Sequence, residues 1–214
     1  MATAADWSFQ PQLLERCWRT WAVVESVLCE TDWLRVYEFT PNWADGIRVG
    51  KLDNGGGDHL VALFTPAGTV LKGFDHESPV SPYARPDDQP WPGMYDGLPP
   101  ALWEALNQPG FAPQDVTFCL WRSLTDAHWW RGLRLPPDVD DGSMYLLGRL
   151  SPSPDDYSEW ARAYHGQPLD PEAVALLLDG AALSPELIGR LNPGRDANAV
   201  LKELAGRGLI PSEA

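Results

Sequence analysis

Four runs of β-branched and aromatic residues lie within residues 33–74, and the breaks between them are short. Residues 33–39 alternate, with Trp33, Arg35, Tyr37 and Phe39 on one side and Leu34, Val36 and Glu38 on the other. That is the two-residue period of a strand. Residues 41–46 read as a turn and residues 47–52 as a short strand. Residues 59–64 and 69–74 read as the two arms of a hairpin. A parallel connection needs a crossover of about a dozen residues. None of these breaks reaches that length, so the runs are expected to form an antiparallel meander with a central hairpin.

The hairpin carries the only concentration of chemistry in the chain. Thr65, Pro66, Ala67 and Gly68 lie between its arms. Pro66 suits the second position of a type I turn, and Gly68 suits the positive φ of a bulge. Under that three-residue loop His59 faces Asp75 and Asp58 faces His76. A two-residue loop shifts the pairing by one and sets Asp58 against Asp75. Either register gathers Asp58, His59, Asp75 and His76, with Glu77 next door, at one end of the ladder. Gly55, Gly56 and Gly57 precede them and mark a bend or a close backbone approach.

Imidazoles beside carboxylates support two kinds of chemistry. His59, Asp75 and His76 are the side chains expected to hold a metal, if any does. Asp58, His59, Asp75, His76 and Glu77 are the set an acid–base hydrolase would draw on. The plainer reading is that Asp–His pairs across a strand end orient one another. No H-x-E, HExxH or CxxC spacing, P-loop, nucleophile elbow or dinucleotide glycine run accompanies them. No cofactor is expected.

Charge bears on partners. The 16 basic and 30 acidic residues give a net charge of −14. Such a body repels phosphate backbones and anionic lipid and steers a basic protein inward. The expectation is a basic protein partner, with no nucleic acid and no membrane. Cys17, Cys29 and Cys119 are odd in number and each sits among apolar residues. They read as reduced thiols in a cytoplasmic protein, and the first residues lack a signal-peptide pattern.

Outside the meander, residues 12–30 form a helix with Leu14, Cys17, Trp18, Trp21, Val24 and Leu28 on one stripe. Glu15, Arg16, Arg19 and Glu25 fall away from that stripe. Residues 77–100 are rich in proline and carry Tyr83, Asp87, Asp88, Trp91 and Tyr95. An aromatic, acidic loop of this length is expected to face a partner or cover a cleft, the alternative being a packed connection. A short helix follows at 100–107, then a strand at 114–124 that is apolar on both faces, and a possible partner strand at 129–135. After residue 137 the chain turns helical. A helix at 142–150 precedes starts at Ser153-Pro154, Asp170-Pro171, Ser184-Pro185 and Asp196. A capping side chain followed by proline or an acid marks a helix N-terminus. The expected fold is α+β. Residues 1–137 form an antiparallel-sheet domain packed by the N-terminal helix, and residues 138–214 form a helical portion packed on it.

The stretch from Gly55 to Ser78 resembles a pattern in SUKH-type bacterial immunity proteins. The matching positions are Gly57-Asp58, Gly68, Val70 and Asp75-His76-Glu77. In that family the motif falls late in the domain, whereas here a helical portion without a counterpart follows it. The resemblance implies a non-enzymatic protein that binds a toxin and occludes its active site. An acidic body fits, because such toxins are often basic. The aromatic side chains of residues 83–95 would supply anchors.

Overall fold

The computed structural model describes residues 2–5, 7–132, 134–136 and 138–211. Its strands are β1 (Thr3–Ala4), β2 (Tyr37–Ala44), β3 (Ile47–Asp53), β4 (His59–Thr65), β5 (Gly68–Phe74), β6 (Phe118–Ser123) and β7 (Trp130–Arg131). Its helices are α1 (Pro11–Leu28), α2 (Pro100–Leu106), α3 (Ser143–Gly148), α4 (Pro154–His165), α5 (Pro171–Leu178), α6 (Pro185–Leu191) and α7 (Ala197–Gly206). The strands make one antiparallel sheet in the order β1-β7-β6-β5-β4-β3-β2. From β2 to β7 it is the expected meander, and β1 adds to the far side of β7. The fold is α+β, as the sequence predicts. No helix among the described residues is long and apolar enough to cross a membrane.

Strand alternation divides the core in two. Leu60, Ala62, Phe64, Leu71, Phe118 and Leu120 face α1 and the C-terminal helices in one cluster. Val61, Leu63, Val70, Cys119 and Trp121 face α2 and the covering loops in the other. Two glycines let aromatic rings lie on the sheet. A Cβ at Gly50 would sit 2.5 Å from the Trp18 indole, and one at Gly73 would sit 2.1 Å from the Phe118 ring. Trp18 Nε1 donates to Lys51 O at 3.0 Å, which fixes the indole over the strand.

The C-terminal helices start where their caps place them. Ser153 and Ser184 accept from Asp156 N and Leu187 N. Asp170 accepts from Glu172 N and Ala173 N, and Asp196 from Asn198 N and Ala199 N. Each cap contributes about 1 kcal/mol. These helices share the α1-side cluster, so α1 is covered on its back as well as on its sheet side. Glu25, expected away from the apolar stripe, is therefore fully buried. Its Oε2 accepts from Val36 N at 3.0 Å, and its Oε1 lies 3.2 Å from Tyr157 Oη and 3.1 Å from His165 Nε2.

Several boundaries differ from the sequence reading. Residues 33 and 34 belong to a single turn of 3-10 helix, Asp32–Leu34, and Trp33 is 82% exposed. The segment is held by α1 and α7, and meets the sheet only at Val36 O, which accepts from Asp53 N of β3 at 3.0 Å. Arg35 Nε donates to Cys29 O at 2.8 Å and its Nη1 pairs with Glu203 at 2.6 Å, while Val36 N is taken by Glu25. β2 instead runs through the expected turn to Ala44, with a break in register after Thr40. Gly46, at φ +70°, lies in the turn. β7 covers only two of the residues expected at 129–135. Leu133, in that expected strand, and Pro137, at the expected boundary, lie outside the described residues.

Candidate functional site

The hairpin has the two-residue register. Thr65 pairs with Gly68 and His59 with Phe74, which puts Asp58 opposite Asp75 rather than His76. The turn is closed by Thr65, whose Oγ1 accepts from Ala67 N at 3.1 Å and donates to Gly68 O at 2.9 Å. Gly68, at φ +143°, is not a bulge. It lies hard against β6, and a Cβ there would lie 2.4 Å from Arg122 O.

Asp58 and His76 meet all the same, on the diagonal. His76 Nδ1 lies 2.7 Å from Asp58 Oδ1, and His76 N donates to the same oxygen at 3.0 Å. Asn54 shapes the approach. Its Oδ1 accepts from Gly56 N and Asp58 N, and its Nδ2 donates to Asp58 Oδ2 at 2.7 Å. Gly57, at φ +106°, brings the chain against the imidazole, and a Cβ there would lie 3.3 Å from His76 Cγ. Burial pushes the Asp58 pKa up, but the hydrogen bonds from His76 and Asn54 outweigh it and leave the carboxyl below its usual value. The hydrogen bond to Asp58 raises the pKa of the exposed His76 imidazole. Both shifts favour the charged forms of the two groups. Asp75 completes a group in which one ligand atom each of Asp58, Asp75 and His76 lies within 4.8 Å of the others. Glu77 stays at the edge, 4.0 Å from His76 Nε2 and largely exposed.

His59 does not join them. Neighbouring residues on a strand point to opposite faces, so His59 turns to the α2 side while Asp58 stays with His76. There His59 stacks on Phe74, with ring centres 5.1 Å apart, and its Nε2 lies 3.2 Å from Lys72 Nζ. Lys72 is fully buried. Its ammonium donates to Phe111 O at 2.8 Å and Ala112 O at 2.9 Å. With the imidazole nitrogen these acceptors use all three of its protons. Burial lowers the Lys72 pKa to about 8. Burial and the adjacent ammonium lower that of His59 to about 4. These contacts hold both groups as structure.

Residues 77–100 cover the α2-side face of the sheet. Met94 is buried there, and Trp91 and Tyr95 pack against the same cluster. Tyr95 Oη donates to Pro113 O. Arg85 stacks on Trp91 and pairs with Asp87 at 3.0 Å. Asp88 is exposed, at φ +49°. Tyr83 leaves most of its ring in solvent while its hydroxyl donates to Asp115 at 2.8 Å. Of the aromatic anchors expected in this loop, only Tyr83 is presented outward.

The sequence reading passed over the surface beside the Asp58 group. A pocket of about 220 Å³ opens between β2, β3, α3 and α4, lined by Asn54, Tyr145, Arg149, Trp160 and Tyr164 among others. Asn54 belongs to both the pocket and the Asp58 turn. Gly142, just before α3, packs on Asp75 so closely that a Cβ would lie 2.4 Å from the Asp75 Cβ. Arg149 lies on the rings of Tyr145 and Trp160, and Tyr164 stacks on Trp160 at 5.4 Å. Tyr164 Oη reaches Leu34 O at 3.3 Å, which ties the pocket to the exposed Trp33–Leu34 turn. Leu34, Tyr145 and Tyr164 leave apolar surface in water as a band around this pocket, and Trp33 and Met144, exposed too, are next to them in sequence. Asp32, Asp53, Glu77 and Asp140 are also exposed. The sequence signal for this pocket is the i, i+4 spacing of Trp160 and Tyr164, which sets both rings on one face of α4. No family model, curated protein or solved structure matches the chain.

Proposed function

We propose that the protein is a non-enzymatic binding protein whose aromatic band docks a basic protein, as an immunity-type inhibitor covers a toxin's working surface. The observation that carries this reading is the band itself. Tyr145 and Tyr164 line the pocket with exposed rings, and Trp33 and Met144, 82% and 86% exposed, are next in sequence to Leu34 and Tyr145 on a body of net charge −14. Exposed aromatic anchors in a charged rim are the composition of an interaction core. The carboxylates of Asp32, Asp53, Glu77 and Asp140 steer a cationic partner, and an apolar or aromatic side chain of that partner stacks into the pocket over Arg149.

The test is calorimetric titration of the purified protein with basic proteins encoded beside its gene. Binding at micromolar Kd or tighter is expected, weakened about tenfold or more by Trp33→Ala and by raising salt from about 50 to 300 mM. No binding to any of them, or binding indifferent to both changes, refutes the reading.

A second reading rests on the 4.8 Å grouping of Asp58, Asp75 and His76. These residues suit a divalent metal, and with it a metal-dependent or acid–base hydrolase. Titration with Mn²⁺ or Zn²⁺ decides it. Near-stoichiometric binding lost in Asp58→Asn supports this reading, and its absence removes it.

A further inference from the structure

A second groove, of about 1070 Å³, lies between α1 and α7 and shares no lining residue with the aromatic pocket. Its two walls are single helix faces. α1 contributes Arg16, Arg19, Thr20 and Val23, and α7 contributes Asn198, Leu201, Lys202 and Ala205. Each set is spaced i, i+3, i+4, i+7, the period of one stripe on a helix. The α5–α6 connection closes one end with Leu183. Val23, Leu177 and Leu209 are buried in the floor, and Leu201 and Ile210 are half-buried.

The lining reverses the charge of the molecule. Among the described residues Arg16, Arg19 and Lys202 line the groove and no carboxylate does, in a chain with 30 acidic and 16 basic residues. Arg19 also sets the width of the groove. It donates to Leu209 O and Gly208 O and so ties the end of α7 to α1. Arg16 and Lys202 are exposed, and neither has a hydrogen-bond or ion-pair partner among the described residues. They stand one on each wall of an apolar trough.

We propose that this groove receives an acidic amphipathic helix from a partner protein. The seven steps from Arg16 to Val23 rise about 10 Å, so two to three turns of helix fill it. Apolar side chains at i, i+4 and i+7 of the incoming helix meet Val23, Leu201 and Leu209, and its flanking carboxylates meet Arg16 and Lys202. A basic helix is turned away by the same cations.

The probe is a capped, fluorescently labelled peptide of about 14 residues with leucines on one helical stripe and glutamates beside them. A counterpart replaces every glutamate with lysine. Both are titrated with the full chain, followed by anisotropy. The acidic peptide is expected to bind and the lysine peptide is not. Arg16→Glu combined with Lys202→Glu weakens binding by about tenfold or more, the effect of losing about 1.4 kcal/mol. Leu201→Asn weakens it through the floor without touching a charge. Thermal melts confirm that both variants fold. Equal binding of the two peptides, binding unchanged in both variants, or no binding of the acidic peptide up to about 1 mM overturns the proposal. So does a concentration-dependent doubling of mass that Lys202→Glu abolishes, which would assign the groove to a second copy of the chain.

Discussion

Replacing Lys72 with methionine isolates the cost of a buried ammonium that has carbonyl and imidazole partners but no ion pair. Its pKa falls from 10.5 in the unfolded chain to about 8 in the folded one. Between those values the unfolded state holds the extra proton, so unfolding takes up protons and stability rises with pH. Below pH 8 the cost is present in full, and above 10.5 it is gone. At about 1.4 kcal/mol per pH unit, the 10.5-to-8 interval is worth about 3 kcal/mol, of which about 2 kcal/mol accrues between pH 7.5 and 10. Lys72→Met removes that slope. It also leaves Phe111 O and Ala112 O without their donor, but that loss is an offset independent of pH. Buried Cys17, Cys119, Tyr37 and Tyr157, whose pKa values burial raises, oppose the rise at alkaline pH. They are present in both proteins and cancel in the difference. The assay is urea unfolding followed by tryptophan fluorescence, at pH steps from about 6 to 10. Wild-type stability minus variant stability should grow by about 2 kcal/mol across pH 7.5 to 10. Parallel pH profiles, or a difference that shrinks, would refute the assignment of a depressed ammonium at this position.

The other buried groups give further tests. His59, held neutral down to about pH 4, destabilises the fold as pH drops below 6.5, because there the unfolded chain binds the proton first. Lys72→Met should flatten this acid limb, by removing the adjacent positive charge, in a urea series extended down to about pH 4. Asp58→Asn should lower the His76 pKa toward that of a free imidazole, read from its ring proton shifts in an NMR titration. An unchanged midpoint would dissolve the pair. Gly73→Ala places a Cβ 2.1 Å from the Phe118 ring, and overpacking of this kind should cost about 1–3 kcal/mol in a chemical melt. Glu25→Ala leaves Val36 N, Tyr157 Oη and His165 Nε2 without their shared acceptor, and should cost about 3 kcal/mol or more.

What the sequence revealed follows from how local each determinant is. Ser153, Asp170, Ser184 and Asp196 cap their own helices within three residues, so their starts were legible. The hairpin arms were legible from their alternation, but the register was not. Pro66 and Gly68 suit both loop lengths, and the neighbours Gly68 meets, Arg122 and Ser123, lie on another strand. The Trp33–Val36 segment alternates like a strand, yet Glu25 and the distant Glu203 draw it onto the helices. The Asp58–His76 pair was expected and the structure forms it. The exclusion of His59 needed only strand parity, which sets adjacent residues on opposite faces whatever the register. The aromatic band was out of reach of a local reading, since Leu34, Asn54, Tyr145 and Tyr164 come from four separate elements.

The tie between Arg19 and Leu209 has a consequence for synthesis. Contacts so distant in sequence form only after both partners have left the ribosome. Until residue 209 is free, the long amphipathic helix near the start of the chain can settle on the sheet but leaves the part of its apolar back that faces α7 uncovered. A nascent chain of this design therefore completes its folding late, and a ribosome stalled in the last helices would hold a sticky intermediate that holdase chaperones should recognise.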